Sequence, residues 1–79
     1  ASNDYGADLI AKDKHGDIWV FQCKRYSSSV GNSAVQEVVA AKAHYKATKA
    51  AVMTNNKLTR NAKRLAMENE IELFEMIED

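Results

Sequence analysis

The sequence predicts an α/β fold in three layers, α/β/α, around a mixed β-sheet. Strand-like runs alternate with helical patterns after residue 24, which favours right-handed crossovers between parallel strands. Two strand patterns near the start, separated by a short polar segment, predict an antiparallel hairpin. The strand at 17–24 begins apolar on both of its faces, as expected for a sheet covered by helices on both sides.

The hairpin comprises the strands "ADLIA" (7–11) and "DIWVFQCK" (17–24). A three-residue loop with Gly16 in the left-handed conformation would pair residues whose numbers sum to 30. In that register Asp8 lies directly across from Gln22.

The helices and remaining strands follow from periodicity and capping residues. Apolar residues recur at helical spacing in "AVQEVVAAKAHYK" (34–46), and Ser33 with Gln36 forms a capping-box pattern in front of it. The later elements are a buried strand "KAAVMT" (49–54), a helix (60–69) capped by Thr59, and a strand "IELFE" (71–75).

Composition indicates one small globular domain over residues 1–79. The chain is 46% hydrophobic and 28% charged, without an apolar run long enough for a membrane span or a signal-peptide pattern. We therefore expect a cytoplasmic protein that does not associate with membranes. Its single cysteine, Cys23, excludes an intramolecular disulfide and a multi-cysteine zinc site.

Charge is unevenly distributed although the net charge is zero. Residues 68–79 hold six acidic residues and no basic one, so residues 1–67 carry a net charge of +6. This asymmetry allows a polyanion to meet a basic surface, although surface charges also serve simply to solvate a protein.

Polar residues gather where the second strand ends. Gln22 and Lys24 share a strand face, and Asp8 would lie across the hairpin at a separation of about 5 Å. Mg²⁺ takes oxygen ligands of this kind and is usually held by one or two carboxylates. The ligands would be Asp8, Gln22 and the backbone carbonyl of Cys23, while Lys24 orients a water and stabilises charge on a phosphate. Alternatively, the three side chains form a cross-strand salt bridge with a hydrogen-bonding neighbour at the rim of the sheet.

Several motifs in order resemble one family. The stretches "GADLI", "QCKRY", "VQEV" and "VMTN" are similar to motifs of the catalytic domain of Mrr-type restriction endonucleases, a branch of the PD-(D/E)XK nuclease superfamily. The resemblance covers most of the chain. It implies a DNA endonuclease that uses Mg²⁺, with Mn²⁺ as a second option.

The resemblance also implies roles for individual residues. Asp8 would be the metal-binding acid, Gln22 would occupy the position of the second acid in a Gln-x-Lys variant, and Lys24 would be the catalytic lysine. Gln36 would lie on the helix that faces the site, with Glu37 beside it as a further candidate.

Residues after the second strand suit contacts with DNA. Arg25, Tyr26, Ser27 and Ser28 offer guanidinium, hydroxyl and backbone donors for phosphates, and they equally suit a solvated polar loop. Lys57, Arg60, Lys63 and Arg64 crowd the start of the last helix and could extend such a surface or merely solvate it. Trp19, Phe21 and Cys23 share the opposite strand face, so we expect core positions for them and no nucleophilic role for Cys23.

The family's domain normally begins with a further helix and strand, whereas only "ASNDYG" precedes the Asp8 strand here. We therefore expect a truncated or minimal domain that covers its exposed sheet by forming a homodimer. The alternative function is a non-catalytic module that keeps the nuclease fold and binds nucleic acid or drives assembly.

Overall fold

A computed structural model of the protein describes residues 9–24 and 30–76. Four strands form one sheet in the order β1-β2-β3-β4, antiparallel between β1 and β2 and parallel from β2 to β4. The elements are β1 (Leu9–Lys12), β2 (Ile18–Lys24), α1 (Asn32–His44), β3 (Lys49–Thr54), α2 (Arg60–Glu68) and β4 (Glu72–Glu75). The predicted α/β fold with a mixed sheet is confirmed.

The hairpin has the predicted register. Leu9 pairs with Phe21 and Lys12 with Ile18, so the residue numbers of each pair sum to 30. Gly16 has a φ of +88°, the left-handed conformation that glycine adopts readily. Asp8 lies outside the described residues, and its pairing with Gln22 therefore stays a prediction.

Both helices cover the same face of the sheet, because two successive right-handed crossovers that advance in one direction place their helices on one side. The core between them and the strands consists mainly of alanine and valine side chains. Val20 and Val52 of the sheet pack there with Val35 and Val38 of α1, and all four are fully buried. Small side chains let the helices approach the sheet closely. The described residues thus supply the sheet and one of the two predicted helical layers.

Two local predictions were wrong. Helix α1 begins at Asn32 with Gly31 as its N-cap and no side-chain cap, so Ser33 lies inside the first turn and does not cap it. Cys23 is exposed, although we expected a core position. Burial of Cys23 on that face of β2 requires a covering layer that the described residues do not supply.

The second face of the sheet carries an apolar groove. Trp19 and Phe21 stack with ring centroids 5.6 Å apart, and both are only half-buried, whereas we expected core positions for them. Together with Ala11 and Phe74 they line a groove of about 320 Å³. Within the described residues, no helix is long and apolar enough to cross a membrane.

Candidate active site

The carboxyl ends of the three parallel strands meet at one edge of the sheet, which we call the carboxyl edge. In the parallel register, Gln22 lies beside Val52 and Lys24 beside Thr54. Open α/β sheets usually bind ligands outside this edge, because the loops and helix N-termini that follow the strands converge there.

Gln22 is the least typical residue of the core. It is fully buried, between apolar residues of β2 and β3. Its Nε2 donates a hydrogen bond of 2.5 Å to Oε2 of Glu37 on α1. Its Oε1 is buried and has no hydrogen-bond partner among the described residues. Exchanging the amide oxygen and nitrogen would turn the oxygen against a carboxylate, so Glu37 determines the orientation of the amide.

An unpartnered buried oxygen is costly, since losing a hydrogen-bond partner in the interior destabilises a protein by about 1–3 kcal/mol. Native structures retain few such atoms, and those that remain often have a functional explanation or an unseen ligand. The Gln22 Oε1 atom therefore fits the requirement for a hard cation, which binds neutral amide oxygens as well as carboxylates.

Lys24 is held at the same place. Its Nζ lies 3.2 Å from Glu37 Oε2, and its side chain is only 14% exposed. One carboxylate oxygen therefore accepts hydrogen bonds from both Gln22 and Lys24. The Glu37 carboxylate thereby connects the ammonium group of Lys24 to the amide nitrogen of Gln22.

The sequence indicated Gln36 more strongly than Glu37, but Glu37 makes the contacts expected of Gln36. Gln36 is exposed, whereas Glu37 is half-buried at the border of the packed helix face. The helical phase contained this signal: with 3.6 residues per turn, position 37 flanks the stripe formed by Ala34, Val38 and Ala41, and position 36 lies nearly opposite. The catalytic role of Gln36 stays a prediction.

Connections between the loops hold the two helix starts close to this edge. Val30 and Leu58 form an isolated parallel β-bridge, and the backbone N–H of Val30 donates to the carbonyl of Lys57 at 2.9 Å. Glu75 at the end of β4 accepts a hydrogen bond of 2.8 Å from the backbone N–H of Leu58. Val30, just before α1, and the segment before α2 are thus hydrogen-bonded to each other, and Leu58 is hydrogen-bonded to the end of β4.

Other predicted site residues have different outcomes. Asp8, Arg25, Tyr26, Ser27 and Ser28 lie outside the described residues, and their roles remain predictions. The described part of the chain contains no group of three or more His, Cys, Asp or Glu residues able to hold a metal ion. The predicted ligand set of Asp8, Gln22 and the Cys23 carbonyl includes a residue outside the described ranges, so it stays a prediction.

Basic side chains surround the start of α2, at the same edge as Lys24. Lys57, Arg60, Lys63 and Arg64 are all exposed, and Lys63 lies 3.7 Å from Glu75. The far end of α2 is acidic, with Glu68 and Glu70 exposed. Within α2 the basic side chains therefore lie at the end nearer the candidate site, and Glu68 lies at the other end.

Comparison with known proteins agrees with this architecture. Residues 1–78 match the family model of the Mrr catalytic domain, described as restriction endonuclease. A protein of unknown function, AF1548, has a crystal structure that superposes with a TM-score of 0.74 at 22% identity, over 85% of this chain and 39% of that one. The structure of EndoMS in apo form gives a TM-score of 0.70 at 21% identity, over 89% of this chain and 31% of that one.

These structural likenesses concern the fold, since the identities are low. The chain spans only about a third of the length of each of the two solved structures. No protein of curated function matches the sequence.

Proposed function

Since the chain belongs to the restriction endonuclease family of Mrr catalytic domains, we propose that it is a metal-dependent endonuclease that hydrolyses phosphodiester bonds of DNA. The observation that carries this proposal is the buried Oε1 of Gln22, which has no hydrogen-bond partner among the described residues, on the same strand as Lys24. The Glu37 carboxylate accepts hydrogen bonds from both the Gln22 amide nitrogen and the Lys24 ammonium group. An amide oxygen and a lysine at the end of one strand are the pair that the Gln-x-Lys interpretation requires.

The metal would be Mg²⁺ or Mn²⁺, held by Asp8, Gln22 and the Cys23 carbonyl. The confirmed hairpin register supports the placement of Asp8 across from Gln22. These residues would hold the ion, which would supply a water of lowered pKa and partial neutralisation of the charge on the scissile phosphate.

Lys24 would act on the water and on the phosphate. The Glu37 carboxylate holds its Nζ, and the low exposure of the side chain restricts its motion. From this position the ammonium group orients the attacking water and stabilises the negative charge that develops on the phosphate oxygens. Water adds to phosphorus, the ester P–O bond breaks, and the leaving oxygen takes up a proton.

DNA would lie across the carboxyl edge. The basic side chains at the start of α2 are exposed, and the acidic residues Glu68 and Glu70 lie at or just beyond the far end of that helix. Such side chains contact phosphates and position the duplex without reading its sequence. Arg25, Tyr26, Ser27 and Ser28 would extend the same contacts next to Lys24.

A homodimer is proposed as well, because the apolar groove lined by Trp19, Phe21 and Phe74 suits a partner surface.

Plasmid cleavage tests the proposal. The protein is incubated with supercoiled plasmid and Mg²⁺ or Mn²⁺, and nicked and linear products are quantified. We expect Lys24→Ala to reduce the cleavage rate about a hundredfold or more. Lys14→Ala is the matched control, since Lys14 is exposed in the hairpin turn, at the opposite end of β2 from Lys24, and its loss should leave the rate unchanged.

Two results would overturn the proposal. One is a folded wild-type protein that leaves DNA intact with either metal, and the other is Lys24→Ala protein that cleaves as fast as the wild type. Salt-sensitive DNA binding without cleavage would instead select the non-catalytic binding module, because counterion release requires no metal site.

A further inference from the structure

The predicted metal ligands carry little negative charge. Mg²⁺ sites in proteins commonly use one or two carboxylates, and here Gln22 supplies a neutral oxygen where an acid could stand. Asp8 is then the single carboxylate among the ligands proposed above. A second carboxylate close to Gln22 would restore the usual charge of such a site.

Glu37 is the carboxylate in contact with Gln22. It reaches the strand from the second turn of α1, and its Oε2 lies 2.5 Å from Gln22 Nε2. Glu75 also stands at the carboxyl edge, but β3 separates its strand from β2, which places it roughly 10 Å away by strand spacing. Glu75 is moreover engaged by the Leu58 backbone N–H and by Lys63.

Glu37 retains the capacity to bind a cation. A carboxylate offers about four lone-pair positions, and the two hydrogen bonds from Gln22 and Lys24 occupy at most two of them. Its side chain is 40% exposed, so a hydrated ion can approach it, whereas Gln22 beneath it is fully buried. The partly exposed carboxylate of Glu37 and the buried amide oxygen of Gln22 are therefore two candidate oxygen ligands on neighbouring side chains.

A purely electrostatic role toward Lys24 explains less. A partly exposed ion pair contributes about 0–1 kcal/mol, and it would not require an amide oxygen to be left without a partner. The hydrogen bond from Gln22 to Glu37 satisfies the amide nitrogen and leaves the amide oxygen for a ligand.

We propose that Glu37 is a metal ligand of this site and supplies, from helix α1, the second carboxylate that Gln22 cannot provide from the strand. The inference rests on the proposed function. The ligand set then contains two carboxylates, Asp8 and Glu37, and two neutral oxygens, from Gln22 and Cys23. Lys24, whose Nζ lies 3.2 Å from Glu37 Oε2, would be a basic group close to the ion.

Binding of Mn²⁺ without DNA tests the inference apart from catalysis. Free Mn²⁺ is measured by electron paramagnetic resonance during titration of the whole chain. We expect Glu37→Gln to weaken Mn²⁺ binding about tenfold or more. This substitution keeps an acceptor oxygen for Gln22 and Lys24, so the fold should survive, as checked by circular dichroism. Glu68→Gln removes the same charge from an exposed position at the far end of α2 and should leave binding unchanged.

A second pair of variants separates ligation from positioning. Lys24→Ala is compared with the double variant Lys24→Ala, Glu37→Gln. If Glu37 binds the ion, the loss of Mn²⁺ affinity persists when Lys24 is absent, and this result supports the inference. Disappearance of the loss in that background overturns it, because Glu37 would then act only through Lys24.

The outcomes also distinguish this inference from the proposed function. Equal Mn²⁺ binding by the wild type and Glu37→Gln overturns the role of Glu37 and leaves the metal-dependent nuclease standing. A folded wild-type protein that takes up no Mn²⁺ overturns both.

Discussion

Gln22→Glu is the substitution that tests the contact between Gln22 and Glu37 most directly. It exchanges the buried amide for a carboxyl of nearly the same shape, next to the Glu37 carboxylate. The donor that now lies 2.5 Å from Glu37 Oε2 becomes an oxygen, so a hydrogen bond is replaced by repulsion. We expect this variant to be less stable than the wild type at neutral pH without metal ions.

The size of the effect follows from the contact distance and the surroundings. After relaxation to about 4 Å, two like charges repel by about 4 kcal/mol at an effective dielectric constant near 20. Lys24, at 3.2 Å from Glu37, offsets part of this repulsion. We therefore expect a loss of about 2–4 kcal/mol in the free energy of unfolding. For a domain of 79 residues, with a total of roughly 4–12 kcal/mol, that is a large fraction.

Urea unfolding followed by circular dichroism, at neutral pH with a chelator, measures the difference. Gln36→Glu is the matched control, because it makes the same chemical change next to Glu37 in the sequence but on the exposed side of α1. It should alter the free energy of unfolding by less than about 0.5 kcal/mol. Adding Mn²⁺ should recover much of the stability lost by the Gln22 variant, since a cation relieves the repulsion. Equal stability of the two variants without metal would refute the contact between Gln22 and Glu37.

Two further predictions concern the hairpin and a helix end. Asp13 accepts a hydrogen bond of 2.9 Å from Trp19 Nε1, and mainly for this reason its pKa lies below the ordinary 3.8. Its charged form therefore stabilises the fold above pH 3.8, and this contribution is lost as the pH falls through the lowered value. Thermal unfolding across acidic pH should show Asp13→Asn less stable than the wild type near neutrality and the difference shrinking in acid; a constant difference would contradict the assignment. Lys46 follows α1 with a φ of +54°, a left-handed conformation that glycine adopts without strain. Lys46→Gly should raise the free energy of unfolding by about 0.5–1 kcal/mol, and Lys42→Gly inside the helix should lower it by about 1 kcal/mol; a loss in both would show that position 46 is not strained.

Local sequence patterns predicted most elements of the fold. The strand "KAAVMT" has the predicted bounds, and Thr59 caps α2 with a hydrogen bond of 3.1 Å from the Ala62 backbone N–H. The hairpin register followed from the position of Gly16 in the loop. These features depend on residues close together in the chain, and for that reason pattern and turn chemistry suffice.

The errors arose where the outcome depends on distant contacts. Ser33 formed a good capping pattern, yet α1 starts earlier, at Asn32, with Gly31 as its N-cap. The β-bridge between Val30 and Leu58 fixes the backbone immediately before the N-cap Gly31. Cys23 alternates with aromatic residues, but its exposure depends on what covers that sheet face. A pattern along one strand contains no information about the opposite layer.

The sequence by itself determined that this chain is an α/β domain of the Mrr type with Gln22 and Lys24 at the end of its second strand. Alternation along β2, hairpin chemistry and recognisable motifs were enough, because each is a short-range property. Only the tertiary structure decided that Glu37, and not Gln36, meets both side chains. The rotation of α1 about its own axis is set by burial of Val35 and Val38 against the sheet, and that packing turns position 37 toward the strand end while position 36 faces outward.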